Sequence, residues 1–200
     1  MKTQHLIAIV ALLTVIMLGW FFYKNQVTMQ NSAKSVTPSP SSGQAVNSES
    51  DLLRGLLLDS AYVTIPEVQP ETTVKLEGSV TEFGDFENDP EQLYGTVALG
   101  PDVLGDTTLI FAITGFNMGG SGDFIYVTAF VPGEGGYRGA AYESLGDRVQ
   151  IDSFSSNGNT VTVKYRVHGP DQAMAEDPTQ AEELVLIYEN GAFTQAPLAE

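Results

Sequence analysis

The chain of 200 residues contains no cysteine. This absence excludes disulfide bonds, thiolate catalysis, cysteine-based zinc sites and lipid attachment through an N-terminal cysteine. Histidine is nearly as scarce, because only His168 lies beyond the first fifty residues. A histidine zinc site or a Ser-His-Asp triad would depend on this one side chain, and no supporting motif surrounds it. We therefore assign no catalytic residue, metal site or cofactor from the sequence.

Basic residues are also few, since 25 acidic side chains face 9 basic ones and the net charge is −16. The first fifty residues carry +2, from three lysines against Glu49, and subtracting this from −16 leaves −18 for the remainder. Such an acidic body is repelled by nucleic acid and by anionic lipid headgroups, so we expect neither as a ligand. The acidity is typical of a surface that maintains solubility, and an acidic coat that binds many cations is the alternative.

One apolar run is long enough to cross a membrane. Leu6–Tyr23 has 18 residues without a charge, and at about 1.5 Å per residue a helix of that length spans roughly 27 Å, close to the thickness of the hydrocarbon layer. It ends in aromatic residues followed by Lys24, which is typical of an interfacial belt and not of a cleavable signal peptide. The sequence predicts that residues 1–24 form a single transmembrane anchor in the lipid bilayer, with the following chain outside the cytoplasm.

Residues 25–50 are rich in Ser, Thr, Asn and Gln and include Pro38 and Pro40. Such a segment buries too little apolar surface to offset its ordering entropy, which predicts a flexible linker. Residues 51–197 then form the folded domain. A short helix is predicted from Asp51 to Leu58 with Ser50 as its N-cap, and Ala173–Leu184 is the one other stretch that could hold a helical turn.

The rest of this domain has the pattern of β-strands. Thr107–Thr114 and Phe124–Val131 are apolar on both faces, which predicts central strands covered on both sides. Glu183–Glu189 followed by Asn190-Gly191 predicts a final hairpin. Because no alternation of strands and helices is present, the sequence predicts a mainly β domain with an antiparallel sheet and one short N-terminal helix.

A second hairpin is predicted around Asn157-Gly158. A two-residue Asn-Gly loop would set the inward-facing Ile151 opposite the outward-facing Lys164, which a pleated ladder forbids. A β-bulge at Asp152-Ser153 restores the alternation and places Ile151 opposite Val163.

With that register, Arg148 is expected directly opposite Arg166, with Lys164 one pair away and His168 at the strand end. Like charges directly opposite each other are mildly destabilising, so this group is a candidate binding site for an anion or a glycan. The alternative is that nearby acids such as Glu143 or Asp147 neutralise these cations.

Two loops have weaker signals. Gly115–Asp123 contains four glycines whose backbone amides could hold an anion, and a plain hairpin connection is the alternative. Asp85, Glu87 and Asp89 alternate as calcium ligands can, but the glycine and distal glutamate of an EF-hand are absent, which favours a solvated acidic loop.

Three segments between about Tyr94 and Phe193 resemble an uncharacterised bacterial extracytoplasmic domain of lipoproteins and membrane-anchored proteins. They are Gly119–Phe130 (GGSGDFIYVTAF), Ser144–Asp171 with its Gly-Asp-Arg strand, Asn-Gly hairpin and His-Gly-Pro turn, and Asp177–Gly191. Members often have Cys-Cys-Pro-Thr-Gln where this chain has Glu176-Asp177-Pro178-Thr179-Gln180, and only Asp102 and Asp106 remain of an Asp-rich turn that many members have. The resemblance implies an exported domain and carries over no catalytic residue.

Together these observations predict a membrane-anchored extracytoplasmic module that binds an anionic envelope polymer or an envelope protein without catalysis. An envelope hydrolase that uses carboxylates not identifiable from one sequence is the alternative. A structural subunit of a larger envelope assembly is a third possibility, and it would show as an exposed apolar patch.

Overall fold

The computed structural model describes residues 43–66, 68, 71–84 and 93–197. The predicted anchor, Leu6–Tyr23, and most of the predicted linker lie outside these residues, as do Asp85, Glu87 and Asp89. Within the described ranges, no helix has both the length and the apolar character needed to span a bilayer.

The N-terminal helix, α1, runs from Gly43 to Ser60. It therefore begins well before the predicted Asp51 and extends into the segment that composition assigned to the linker. Ser50 is not an N-cap but an interior residue, and its Oγ accepts a hydrogen bond from the backbone N–H of Val103 (3.4 Å). Leu53 and Leu57, one helical turn apart, are fully buried and dock α1 onto a sheet. Once that turn is fixed, each further residue adds a hydrogen bond without a new nucleation cost, which explains the longer helix.

Seven strands form the larger sheet, in the spatial order β2-β1-β7-β6-β5-β4-β3. All neighbours are antiparallel except β1 and β7, which run parallel. The strands are β1 (Ala61–Thr64), β2 (Thr73–Lys75), β3 (Val80–Phe83), β4 (Gly95–Asp106), β5 (Leu109–Asn117), β6 (Phe124–Gly133) and β7 (Gly136–Asp147).

Four strands form the smaller sheet, in the order β11-β10-β9-β8, and all are antiparallel. They are β8 (Gln150–Asn157), β9 (Thr160–Val167), β10 (Gln180–Glu189) and β11 (Ala192–Gln195). The mainly β prediction is confirmed, and so is the final hairpin. Its loop residues Asn190 and Gly191 both have positive φ (53° and 83°), as a type I′ turn requires.

The second stretch considered for a helical turn, Ala173–Leu184, contains none. Its first part forms turns, one of them closed by the N–H of Glu176 donating to the carbonyl of Ala173 (3.0 Å). From Gln180 onward it belongs to β10.

Strands β5 and β6 lie between two hydrophobic clusters, as their two apolar faces predict. Ile110 and Phe130 pack with α1 on one face of the large sheet, while Phe111 and Val127 pack against the small sheet on the other. All four side chains are fully buried. The central strands are therefore covered on both sides, and the domain has three layers.

The small sheet covers only part of its neighbour. Among the described residues, the cluster between the two sheets draws on β4, β5, β6 and β7 of the large sheet but on no residue of β1 or β2. The face of β1 and β2 that points away from α1 is thus left open.

Candidate functional site

The β8–β9 hairpin contains the predicted bulge. Its pairing shifts between Ile151↔Tyr165 and Ser153↔Lys164, which leaves Asp152 as the extra residue. The loop differs from the prediction, because Asn157 pairs with Thr160 and the two loop residues are Gly158 and Asn159. Gly158 has a φ of +60°, and a two-residue loop with glycine at its first position is a favoured hairpin turn.

This register corrects the predicted opposition of two arginines. Gln150, not Arg148, lies opposite Arg166. Arg148 precedes β8, in the turn that follows β7, where it has a φ of +51° and donates its backbone N–H to the carbonyl of Asp123 (2.8 Å). The like-charge pair on which the predicted site was based is therefore absent from the hairpin.

Arg148 is instead paired with its neighbour Asp147. Its guanidinium nitrogen Nη2 lies 3.1 Å from Asp147 Oδ2, and Nε donates to the same carboxylate (3.2 and 3.3 Å). These hydrogen bonds raise the pKa of Arg148. Asp147 is thus one of the two neutralising acids that the sequence suggested. The other, Glu143, accepts a hydrogen bond from Gln195 Nε2 (2.7 Å).

The other two predicted cations also face acids. Arg166 Nη2 lies 2.8 Å from Oδ1 of Asp152, the bulge residue, and this contact raises the pKa of Arg166. Lys164 Nζ lies 3.4 Å from Oε2 of Glu183, its direct cross-strand neighbour on β10. The bulge thus places the carboxylate of Asp152 on the outer face of the small sheet, beside Arg166.

His168 lies just beyond the end of β9. Its Nε2 is 2.9 Å from the carbonyl of Glu176, and since a carbonyl only accepts, Nε2 carries the proton. Nδ1 is buried and has no hydrogen-bond partner within the described ranges. We name Arg148, Lys164, Arg166 and His168 the hairpin patch. Three of its members have an acidic partner, and its binding role stays a prediction.

The glycine-rich loop also turns inward on itself. Asn117 Nδ2 donates to the carbonyl of Gly122 (3.0 Å) and to Asp123 Oδ1 (2.9 Å), while Asn117 Oδ1 accepts from the N–H of Gly119 (2.9 Å). The Asn117 amide N–H groups and the N–H of Gly119 are donors that an anion could use, and they are already engaged within the loop.

The described residues include three further cations outside the hairpin patch. Arg54 on α1 donates to the carbonyls of Leu99 and Gly100. Lys75 and Arg138 differ, because within the described part of the chain neither side chain has an ion pair or a hydrogen bond. Among the described residues, Lys75 and Arg138 thus differ from Arg148, Lys164 and Arg166, which each have an acidic partner.

Lys75 and Arg138 belong to one row across three strands. Tyr62 on β1 pairs with Lys75 on β2 and with Arg138 on β7. Directly paired residues project from the same face of a sheet, so the tyrosine stands between the two cations. This is the face that the small sheet leaves open, and Tyr62 is 37% exposed. We call Lys75, Tyr62 and Arg138 the cationic row.

A cleft of about 420 Å³ adjoins this row. Its polar lining consists of four hydroxyl-bearing side chains and two charged ones: Tyr62, Thr64, Thr73, Tyr142, Glu71 and Arg138. The lining mixes hydrogen-bond donors, acceptors and aromatic surface, whereas typical small-molecule pockets are mostly apolar. We call it the β1–β7 cleft.

The cleft arises where two strands separate. Pairing of β1 with β7 ends at Tyr62 and Arg138, just before a bulge that leaves Ala140 unpaired with β6. Beyond that point the backbone N–H of Thr64 on β1 has no backbone partner on β7, and it donates to Tyr142 Oη instead (2.7 Å). Burial raises the pKa of Tyr142, so the phenol is neutral at physiological pH. A β-bulge bends its strand and commonly occurs where strand pairing ends.

Gly139 lets Tyr142 reach that position. A Cβ at residue 139 would overlap the Tyr142 hydroxyl, so a side chain there would displace the ring. The lone carboxylate of the cleft, Glu71, has no facing carboxylate among the described lining residues. Within the described ranges, no group of three or more His, Cys, Asp or Glu side chains could hold a metal ion.

Sequence reasoning missed the cationic row. Alternation around Val74 and Leu76 points Lys75 outward, which is a local signal. That Lys75 and Arg138 meet beside Tyr62 depends on a parallel pairing between β1 and β7, and no short-range pattern encodes it.

No protein-family model, no curated protein and no solved structure matches this chain.

Proposed function

We propose that this protein is a non-catalytic binding module, anchored in the cell membrane by Leu6–Tyr23 and exposed outside the cytoplasm, and that the β1–β7 cleft is its binding site. The observation that carries the proposal is the cationic row. In a domain where the other described cations have acceptors, Lys75 and Arg138 flank an exposed tyrosine at the mouth of a cleft.

The chemistry of the lining favours binding over hydrolysis. Glycoside hydrolysis by the common route needs two carboxyl groups across the scissile bond, whereas the described lining offers Glu71 alone. Hydroxyl groups and cations, by contrast, are suited to hold polar and anionic groups in place. An envelope hydrolase is the alternative, and it would need a carboxylate pair elsewhere on the domain.

The apolar run and its aromatic end support the location. Protease added to intact spheroplasts should cut between the anchor and α1 and release a stable fragment that contains residues 43–197. Protection of the domain until the cells are lysed would overturn the orientation. Recovery of the full-length protein in the soluble fraction would overturn the anchor.

The binding site is tested with two matched double variants. Lys75→Gln/Arg138→Gln and Lys164→Gln/Arg166→Gln each remove two positive charges. Only the first pair removes cations that have no acidic partner among the described residues. We expect purified full-length protein in detergent to bind isolated cell envelope, and the first variant alone to lose that binding. Equal loss in both variants would indicate nonspecific charge attraction. Retention in both would remove the cleft as the site.

A further inference from the structure

The geometry points to a saccharide chain that carries isolated anionic groups as the ligand of the β1–β7 cleft. This inference rests on the proposed binding function and specifies its ligand class. The cationic row, the hydroxyl groups of the cleft, Glu71 and the charge of the whole domain each contribute one step of the argument.

The spacing of the cations favours an extended ligand. Lys75 and Arg138 lie on strands separated by β1, and since neighbouring strands are about 4.8 Å apart, their backbones are roughly 10 Å apart. An extended chain that crosses all three strands can place an anionic group near one cation and a second group near the other. A small free anion can contact both cations only if the two side chains bend toward each other. Otherwise it contacts one of them.

Tyr62 supplies a flat surface between the two charges. Its ring is amphipathic, and its π face has negative electrostatic potential. A pyranose ring presents a face of C–H groups with slight positive charge, which complements that surface. An exposed tyrosine flanked by two cations therefore suits a sugar whose ring stacks while its acidic substituent is held at the side.

The cleft provides the remaining contacts. The hydroxyls of Thr64 and Thr73 can each donate and accept, which matches the hydroxyl groups of a sugar. Glu71 accepts hydrogen bonds from hydroxyl groups but repels an anion. Since Glu71 and Arg138 line the same cleft, the ligand should place a neutral hydroxyl group beside the carboxylate and its anionic group beside the guanidinium.

The charge of the domain excludes dense polyanions. Residues beyond the first fifty carry −18, so nucleic acid and polyphosphate, which have a charge at every repeat, are repelled. A chain whose charged residues are separated by neutral ones is repelled less. An acidic polysaccharide with spaced charges satisfies both the local attraction and the overall repulsion.

The test is calorimetric titration of full-length protein in detergent with three probes. The first is an oligogalacturonate in which most carboxyl groups are methyl-esterified, so that the free carboxylates are spaced, and it is called oligogalacturonate below. The others are the fully methyl-esterified oligosaccharide and inorganic polyphosphate. Because a charge-assisted hydrogen bond is worth more than a neutral one, we expect full esterification to weaken binding by about tenfold. Lys75→Gln/Arg138→Gln should weaken oligogalacturonate binding by about as much, and Lys164→Gln/Arg166→Gln by less than about twofold.

Tyr62 separates stacking from charge. Tyr62→Thr, which suits a strand, should weaken oligogalacturonate binding about tenfold, since a stacked aromatic contact is lost, while Tyr62→Phe should retain most of it. Thermal melts of each variant identify a loss of binding that comes from unfolding. If the Thr variant unfolds, the Phe variant still tests the inference, because loss of binding by folded Tyr62→Phe would contradict stacking.

The outcomes distinguish this inference from the proposed function. Envelope binding that depends on Lys75 and Arg138, without oligogalacturonate binding, would overturn the saccharide and keep the site. Polyphosphate binding as tight as oligogalacturonate binding, or an unchanged Tyr62→Thr variant, would also overturn it. Absence of any binding that depends on the two cations would overturn the proposed function itself.

Discussion

Two groups of cations on this domain have opposite surroundings. On the small sheet and the turn before it, Arg148, Lys164 and Arg166 each lie within 3.4 Å of a carboxylate. On the open face of the large sheet, Lys75 and Arg138 have no such partner among the described residues. Because acids greatly outnumber bases in this chain, a paired cation is the common outcome and carries little information. A cation without an acidic partner is the informative case.

The largest effect is expected at Gly139, which sets the shape of the cleft. In Gly139→Ala the new Cβ would overlap Tyr142 Oη and force the ring away from the N–H of Thr64. Overpacking of this kind costs about 1–3 kcal/mol of unfolding free energy. We expect a lower melting temperature together with weaker oligogalacturonate binding.

Gly169→Ala is the control for that variant, since a Cβ there meets no heavy atom within 4 Å. Its stability should be close to that of the wild type. An unchanged melt and unchanged binding in Gly139→Ala would mean that Tyr142 yields freely and does not shape the site.

The next effect concerns alkaline pH and compares a tyrosine of the cleft with one of the small sheet. Burial raises the pKa of Tyr142 above the ordinary value of 10.0, so above that pH the unfolded chain loses this proton before the folded one does. Stability is therefore lost as pH rises from the unfolded pKa through the folded pKa, by less than about 1.4 kcal/mol per pH unit for one group. Tyr142→Phe should reduce this slope.

Tyr165 on the small sheet also has a raised pKa, mainly through burial. Tyr165→Phe should therefore remove its own contribution and leave that of Tyr142. Denaturant unfolding between pH 9 and 12 measures both slopes, and a slope unaltered by Tyr142→Phe would contradict the assignment.

A gain of binding on the small sheet would contradict most directly the distinction between the two groups of cations. Asp152→Asn/Glu183→Gln removes the acidic partners of Arg166 and Lys164 while keeping similar shapes. If cations without acidic partners are sufficient, the variant should bind oligogalacturonate on the small sheet even when Lys75 and Arg138 are replaced by glutamine. If Tyr62 and the cleft are also needed, as we expect, adding these two substitutions to Lys75→Gln/Arg138→Gln should raise oligogalacturonate binding by less than about threefold. Exposed charges contribute energies of only that size.

Local patterns in the sequence predicted much of this fold. Turn chemistry predicted the Asn190-Gly191 hairpin, and apolar runs predicted the two central strands. Alternation predicted the bulge at Asp152 and the inward set of side chains. These features depend on neighbours in the chain, and a single sequence contains that information.

The register of the β8–β9 hairpin shows where such patterns stop. The predicted partner of Ile151 was Val163, and the observed partner is Tyr165, two positions further. A slide of two residues keeps every side chain on its own face, so alternation cannot distinguish the two registers. The same limit applies to the cationic row, which depends on β1 lying between β2 and β7 and on a bulge near Ala140.

The smallest effect is expected for single cations, and here the two groups should differ in kind. Arg166→Thr removes an exposed ion pair with Asp152, so we expect a loss of about 0.2–1 kcal/mol of unfolding free energy and unchanged envelope binding. The register first predicted for this hairpin implied the reverse, because removing one of two opposed arginines would have relieved repulsion. Lys75→Thr removes no ion pair among the described residues, so its stability should stay within about 0.5 kcal/mol of the wild type while envelope binding falls. Denaturant unfolding and the envelope pull-down, run on both variants, measure the two quantities. A stability loss in Lys75→Thr as large as that in Arg166→Thr would show that Lys75 is tied to the fold, and the distinction between the two groups would then be lost.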